Sequence, residues 1–173
     1  MSDGHRHLVV LRHAKSDWPA GVADEDRPPG KRGGRDAGAA GRWLADNDAR
    51  PELVWCSPAR RTRETWDALS ANLGAGAGPE VRFDGRVYEA SLDDLLAVVR
   101  DTPAACTRVL LVGHNPGVQE LVLSLARRGS DDARALAAAK YPTSALAMLD
   151  LAAQWADVVP GSGLLSSFAV PRG

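Results

Sequence analysis

The sequence predicts an α/β domain, a three-layer α/β/α sandwich around a mostly parallel central sheet. Two observations carry this. Short apolar runs recur along the chain, and stretches of helical periodicity separate them, the alternation that builds a parallel sheet covered on both faces. The length of 173 residues, 45% of them hydrophobic and 25% charged, suits one soluble domain with a real core. No internal repeat or linker divides the chain, so residues 1–173 read as a single domain.

The first run, LVVLR over residues 8–12, is too short for a helix and uniformly apolar, as a buried strand is. LVWC (53–56), RVLLV (108–112), ALAMLDL (145–151) and LSSFAV (165–170) read the same way, with a weaker strand near 81–83. Helical spacing occupies 34–46, 58–73, 92–100 and 117–128. Ser57-Pro58 offers an N-cap followed by a first-turn proline, and Asn115-Pro116 repeats the arrangement. Ser91 with Asp94 three residues on forms a capping-box pattern. A short segment containing PGSG joins the last two strands and allows an antiparallel hairpin at one edge. GAGAGP (74–79) follows no strand, so it is a loop and not a dinucleotide fingerprint. The connection from Asp17 to Gly33 is rich in proline, glycine and charge, and no regular structure is expected in it.

Composition excludes several partners. A net charge of −1 gives no basic surface for nucleic acid or membrane. The opening residues MSDGHRH are polar and no stretch is long enough to span a bilayer, so a cytoplasmic location is expected. Cys56 and Cys106 are too few and too far apart for a disulfide scaffold or a zinc site and are expected to be small buried hydrophobes. No interface stripe is evident, so a monomer is expected.

In a parallel α/β sheet the loops after the strands' C-terminal ends line one crevice. Three such loops carry unusual polar groups. Arg12 and His13 follow the first strand, SPARRTRET with Arg60, Arg61 and Arg63 follows the second, and GHNPG with His114 follows the 108–112 strand. Everything that converges is cationic or a hydrogen-bond donor, and helix N-termini add partial positive charge. Such a site suits an anion with several oxygens, phosphate above all. A neutral imidazole is a good nucleophile toward phosphorus, and neighbouring arginines disfavour its protonated form. The residues therefore describe phosphoryl transfer through a phosphohistidine intermediate, with arginines and a second histidine in the role magnesium fills in kinases. No metal and no cofactor is expected.

These blocks also carry a resemblance. LRHAKS resembles the Arg-His-Gly or Arg-His-Ala signature of the histidine phosphatase superfamily, the phosphoglycerate-mutase-like group. SPARRTRET resembles its second block, a Ser followed four positions later by the phosphate-binding Arg and then by a Thr, which selects Arg61 over Arg60 and Arg63. LLVGHNPGVQELV resembles the block that holds the second catalytic histidine. The resemblance covers residues 8 to about 151 with the motifs in family order, and RHAKSDW, RPPGKRG and GHNPG together look most like the small SixA-like phosphohistidine phosphatases. It implies His13 as nucleophile, Arg12, Arg61 and His114 as clamps on the phosphoryl oxygens, and Glu89 in RVYEAS as the acid that protonates an ester leaving group. Lys15 and Ser16, next to the nucleophile, are candidates for touching substrate.

The separation of 28 positions from Arg61 to Glu89 leaves little room for a cap insertion. Mutase-type members carry Trp-Asn where this chain has Trp18-Pro19, which counts against a sugar-phosphate mutase. A phosphorylated protein side chain, phosphohistidine first, is the expected substrate. The alternatives are a small phosphomonoester or a non-catalytic phospho-ligand-binding module. Other classes fail by counting: six positions after Cys56 and Cys106 stand Thr62 and Val112, where a cysteine phosphatase needs arginine, and no P-loop is present.

Overall fold

The computed structural model describes residues 4–126 and 131–173. Its six-stranded sheet contains β1 (Arg6–Arg12), β2 (Leu53–Cys56), β3 (Glu80–Phe83), β4 (Arg108–Gly113), β5 (Leu146–Leu151) and β6 (Gly163–Ala169), in the spatial order β3-β2-β4-β1-β5-β6. The β3–β2, β2–β4 and β4–β1 pairings are parallel. β5 runs antiparallel to both β1 and β6, so it alone opposes the common direction. The expected edge hairpin of the last two strands is present.

Among the described residues five helices flank the sheet: α1 (Lys31–Asp46), α2 (Arg60–Ser70), α3 (Leu92–Arg100), α4 (Gly117–Leu125) and α5 (Asp131–Ala139). Strand alternation divides the core. Leu8, Val10, Trp55, Leu111 and Leu149 face α3, α4 and α5, whereas Val9, Leu11, Val54, Leu110 and Leu146 face α1 and α2. All three layers are thereby filled, and no cap domain interrupts them among the described residues.

Some local expectations change. Helix α2 begins at Arg60 and not at 58, because the chain is still extended at Ala59 (ψ 145). Ser57 is therefore not its N-cap; the hydroxyl turns to His114 instead. Pro116, not Asn115, is the N-cap of α4, and the Asn115–Pro116 bond is cis. The last residues of the helix expected over 117–128, 127 and 128, lie outside the described residues. Ser91 and Asp94 form the expected capping box of α3. Unforeseen are α5, the 3-10 turns at Gly85–Val87 and Trp155–Asp157, and the regular structure within 17–33, where a 3-10 turn spans Asp24–Asp26 and α1 starts at Lys31.

Candidate active site

Strand β1 delivers its last residues to the sheet's C-terminal edge. The Arg12 amide donates to the Ala145 carbonyl, the His13 amide to Gly113, and the Ser144 amide to the carbonyls of both Arg12 and His13. The next residue is tied to α2: the Ala14 amide donates to Thr65 Oγ1 at 3.0 Å, and that hydroxyl donates to the Arg61 carbonyl. The loop after β1 and the first turn of α2 are thus one fixed unit.

His13 is 8% exposed, and its Nδ1–H donates to the Ala14 carbonyl at 2.8 Å. That bond sets the tautomer and leaves the Nε2 lone pair free. Burial lowers the His13 pKa to about 4 and Arg61, Arg12 and Arg27 push the same way, with only the Ala14 bond opposing. The imidazole is neutral at physiological pH.

His114 stands opposite, with ring centroids 5.2 Å apart. Its Nε2 lies 2.8 Å from Ser57 Oγ, which also accepts from the Ala59 amide. The Ser57 hydroxyl proton is then available to Nε2, placing the His114 proton on Nδ1. Burial, followed by mutual disfavour between its protonated form and that of His13 and by the Arg61 charge, lowers its pKa to about 3. Nδ1 of His114 is buried without a partner, and so are Nε of Arg12 and Nε of Arg61. Three unspent donors, from the end of β1, the first turn of α2 and the loop after β4, belong to side chains that line one cavity with the neutral His13. Unsatisfied buried donors are costly and rare, and three side chains that bring such donors to one cavity suit an oxyanion.

The arginines are held from behind. Arg12 Nη1 donates to the Tyr141 carbonyl at 2.8 Å. Arg61, 6% exposed, donates to the Asp24 carbonyl (2.6 Å) and to Asp24 Oδ2 (3.0 Å). Those bonds use Nη1 and Nη2 and leave the Nε edge. Asp24 also accepts from Arg27 (3.0 Å) and from the Tyr88 hydroxyl (2.7 Å). The Tyr88 bond, with those of Arg27 and Arg61, holds the Asp24 carboxyl well below its usual range, so it stays a carboxylate.

The site residues line two joined cavities. One, of about 240 Å³, is lined by Arg12, His13, Lys15, Ser16, Arg27 and Thr143 among others; Tyr88 and Glu89 line the second, of about 400 Å³. Arg61, His114 and Asn115 belong to both. All seven residues selected from the sequence therefore reach one cleft. Lys15 is exposed on its wall, whereas Ser16 is buried with its hydroxyl 2.6 Å from Arg27 Nη2. Glu89 is exposed at the rim with φ 51, a left-handed conformation that a non-glycine residue adopts at a cost of about 1–2 kcal/mol.

Asp24 and Arg27 were not selected from the sequence. Arg27 is 7% exposed and makes hydrogen bonds to the Asp17 carbonyl, Asp24 and Ser16, with its guanidinium 3.1 Å above the Trp18 ring. It opens RPPGKRG, so the motif was visible. What hid its role was the expectation of an unstructured loop. Among the described residues no group of three or more His, Cys, Asp or Glu is arranged to hold a metal ion.

Comparison with known proteins gives the family and the fold. Residues 8–98 match the histidine phosphatase superfamily (branch 1). An uncharacterized protein of Mycobacterium tuberculosis is 40% identical over 164 residues, covering 94% of this chain and 100% of the relative. A provisionally named phosphohistidine phosphatase SixA from Nakamurella multipartitia superposes with a TM-score of 0.86 at 32% identity, covering 97% of each chain. Its provisionally named counterpart from Agrobacterium tumefaciens gives 0.80 at 28% identity, covering 96% of this chain and 98% of that one.

Proposed function

Since the chain belongs to the histidine phosphatase superfamily, in its SixA-like branch, we propose that it hydrolyses phosphohistidine in proteins with His13 as the nucleophile and without a metal. The carrying observation is the neutral His13, its Nδ1–H spent on Ala14, facing buried donors of Arg12, Arg61 and His114 that have no partner.

In the first step His13 Nε2 forms a bond to phosphorus as the bond to the substrate nitrogen breaks. The Nε edges of Arg12 and Arg61 and the Nδ1–H of His114 hold the equatorial oxygens, where negative charge concentrates in transfer. Arg27 adds a fourth donor from the same cavity, and Lys15 steadies the incoming phosphate from the wall. Ser16 contributes through Arg27, which it holds. The departing imidazole takes a proton from solvent, so an acid is dispensable for this substrate. Glu89 at the rim supplies the proton where the leaving group is an ester oxygen. Water then attacks phosphorus of phospho-His13, releasing inorganic phosphate and restoring the neutral imidazole.

The absence of a cap domain supports a substrate presented on a protein surface. A small phosphomonoester is the second reading, favoured by the rim position of Glu89, which only an ester needs. The test is His13→Ala against wild type on a phosphohistidine peptide and on para-nitrophenyl phosphate, with acid-labile phosphate trapped by rapid quench. Loss of nearly all turnover and of the trapped phosphate is expected with folding retained. A variant of near-normal activity, with nothing trapped on the wild type, overturns the mechanism.

A further inference from the structure

The floor of the cleft is cationic, whereas its surroundings are mainly apolar and acidic. Trp18 lines the His13 cavity and is 76% exposed, one face of its ring covered by the Arg27 guanidinium. Residues 18–23, WPAGVA, are all exposed and uncharged, with Val22 at 39%. A six-residue uncharged ridge led by a bare tryptophan is unusual beside a phosphate site, since exposed apolar patches at functional clefts mark contact with other molecules. The ridge is braced, not loose: Arg27 bonds the Asp17 carbonyl at its start and Asp24 at its end.

Carboxylates frame it. Asp17, Glu25, Asp26 and, across the cleft, Glu89 are exposed, and none has a side-chain hydrogen bond or ion pair among the described residues. Asp24 in their midst is neutralised by Arg61 and Arg27. Lys15 is the exposed cation on the cavity wall. A rim of this sign repels metabolites carrying several negative charges while the buried donors still take one phosphoryl group.

We propose that the 18–23 ridge and the carboxylates of Asp17, Glu25, Asp26 and Glu89 form a docking surface for the protein that bears the phosphohistidine, and that they select a segment with an apolar and a basic residue beside it. This rests on the reading of the cleft as a phosphohistidine phosphatase. The apolar neighbour packs on Trp18 and Val22, and the basic neighbour meets the acidic rim.

The test measures kcat/KM on three probes: phosphoramidate, a phosphohistidine peptide flanked by Leu and Arg, and the same peptide with Glu in place of Arg. The wild type is expected to prefer the Arg peptide by about fivefold or more, the scale of a few partly screened charge pairs, and to lose that preference as salt rises. Glu25→Lys combined with Asp26→Lys abolishes the preference, and Val22→Ser raises KM for both peptides; neither changes phosphoramidate turnover. Glu89→Gln lowers the Arg/Glu ratio, whereas an acid role alone moves both peptides equally and leaves the ratio intact. A wild type that cleaves phosphoramidate yet treats the peptides alike overturns the docking surface and leaves the reaction standing. A wild type that cleaves none of the three ends the reaction reading, and the surface falls with it.

Discussion

At His13, burial and charge act in one direction. Desolvation disfavours the imidazolium, three arginines repel it, and the result is a pKa of about 4 in place of 6.5. Because only the neutral ring has a lone pair for phosphorus, kcat/KM should hold from pH 7 down through 5 and fall as pH drops through about 4. An acid limb near 6.5 in a kcat/KM profile on phosphoramidate would show that the pocket does not perturb His13. Linkage has a definite sign. Between 4 and 6.5 the unfolded chain binds a proton that the folded chain refuses, so stability rises with pH across that window and is lost on acidification. For His13 alone the loss amounts to about 3 kcal/mol by pH 4, at about 1.4 kcal/mol for each pK unit. The drop in Tm between pH 7 and pH 5 should accordingly be smaller in His13→Gln than in the wild type. Equal drops would mean that His13 titrates alike in both states.

The secondary elements show where sequence patterns inform and where they fail. The central strands were legible because four consecutive apolar residues have few other fates, and α3 because Ser91 and Asp94 cap each other as their spacing predicts. Ser57 misled, because a hydroxyl after a strand is as available to a distant histidine as to the next helix. Helix α5 was missed because Ala133 and Ala137 are its buried residues, and alanine gives a faint periodic signal. Asp24 was missed because nothing local to it announces a bond to Arg61, 37 positions away. Packing between α1 and α2 depends on a similarly quiet residue. A Cβ on Gly41 would lie 2.2 Å from the Leu69 carbonyl oxygen, a backbone atom that cannot step aside. Gly41→Ala must therefore push the helices apart, and should destabilise by about 1–3 kcal/mol, the scale of overpacking. The urea midpoint reads this directly. An unchanged midpoint would show that the two helices slide apart at no cost.

Over the whole molecule, the site is the meeting point of segments that the sheet order brings together from across the sequence, and the end of the chain helps to hold them. Asp36 of α1 is 1% exposed, and its carboxylate accepts from the Gly173 amide and lies 3.5 Å from both Arg32 and Arg172. Arg172 also donates to the Thr143 carbonyl at 3.0 Å, and Thr143 lines the His13 cavity one residue before Ser144, whose amide binds Arg12 and His13. One guanidinium thus joins the face that carries α1 to the loop that seats the nucleophile. Removing it leaves a buried carboxylate with one fewer cation. Since Arg172 is itself 35% exposed, solvent takes up part of the loss, and Arg172→Ala should cost about 1 kcal/mol. Asp36→Asn combined with Arg172→Ala separates the charge from the tether. If the pair acts through the carboxylate, the double variant is less destabilised than the sum of the singles. Strict additivity in the denaturation midpoints would mean that Arg172 works only through Thr143, and KM for phosphoramidate would then rise in Arg172→Ala whether or not Asp36 is present.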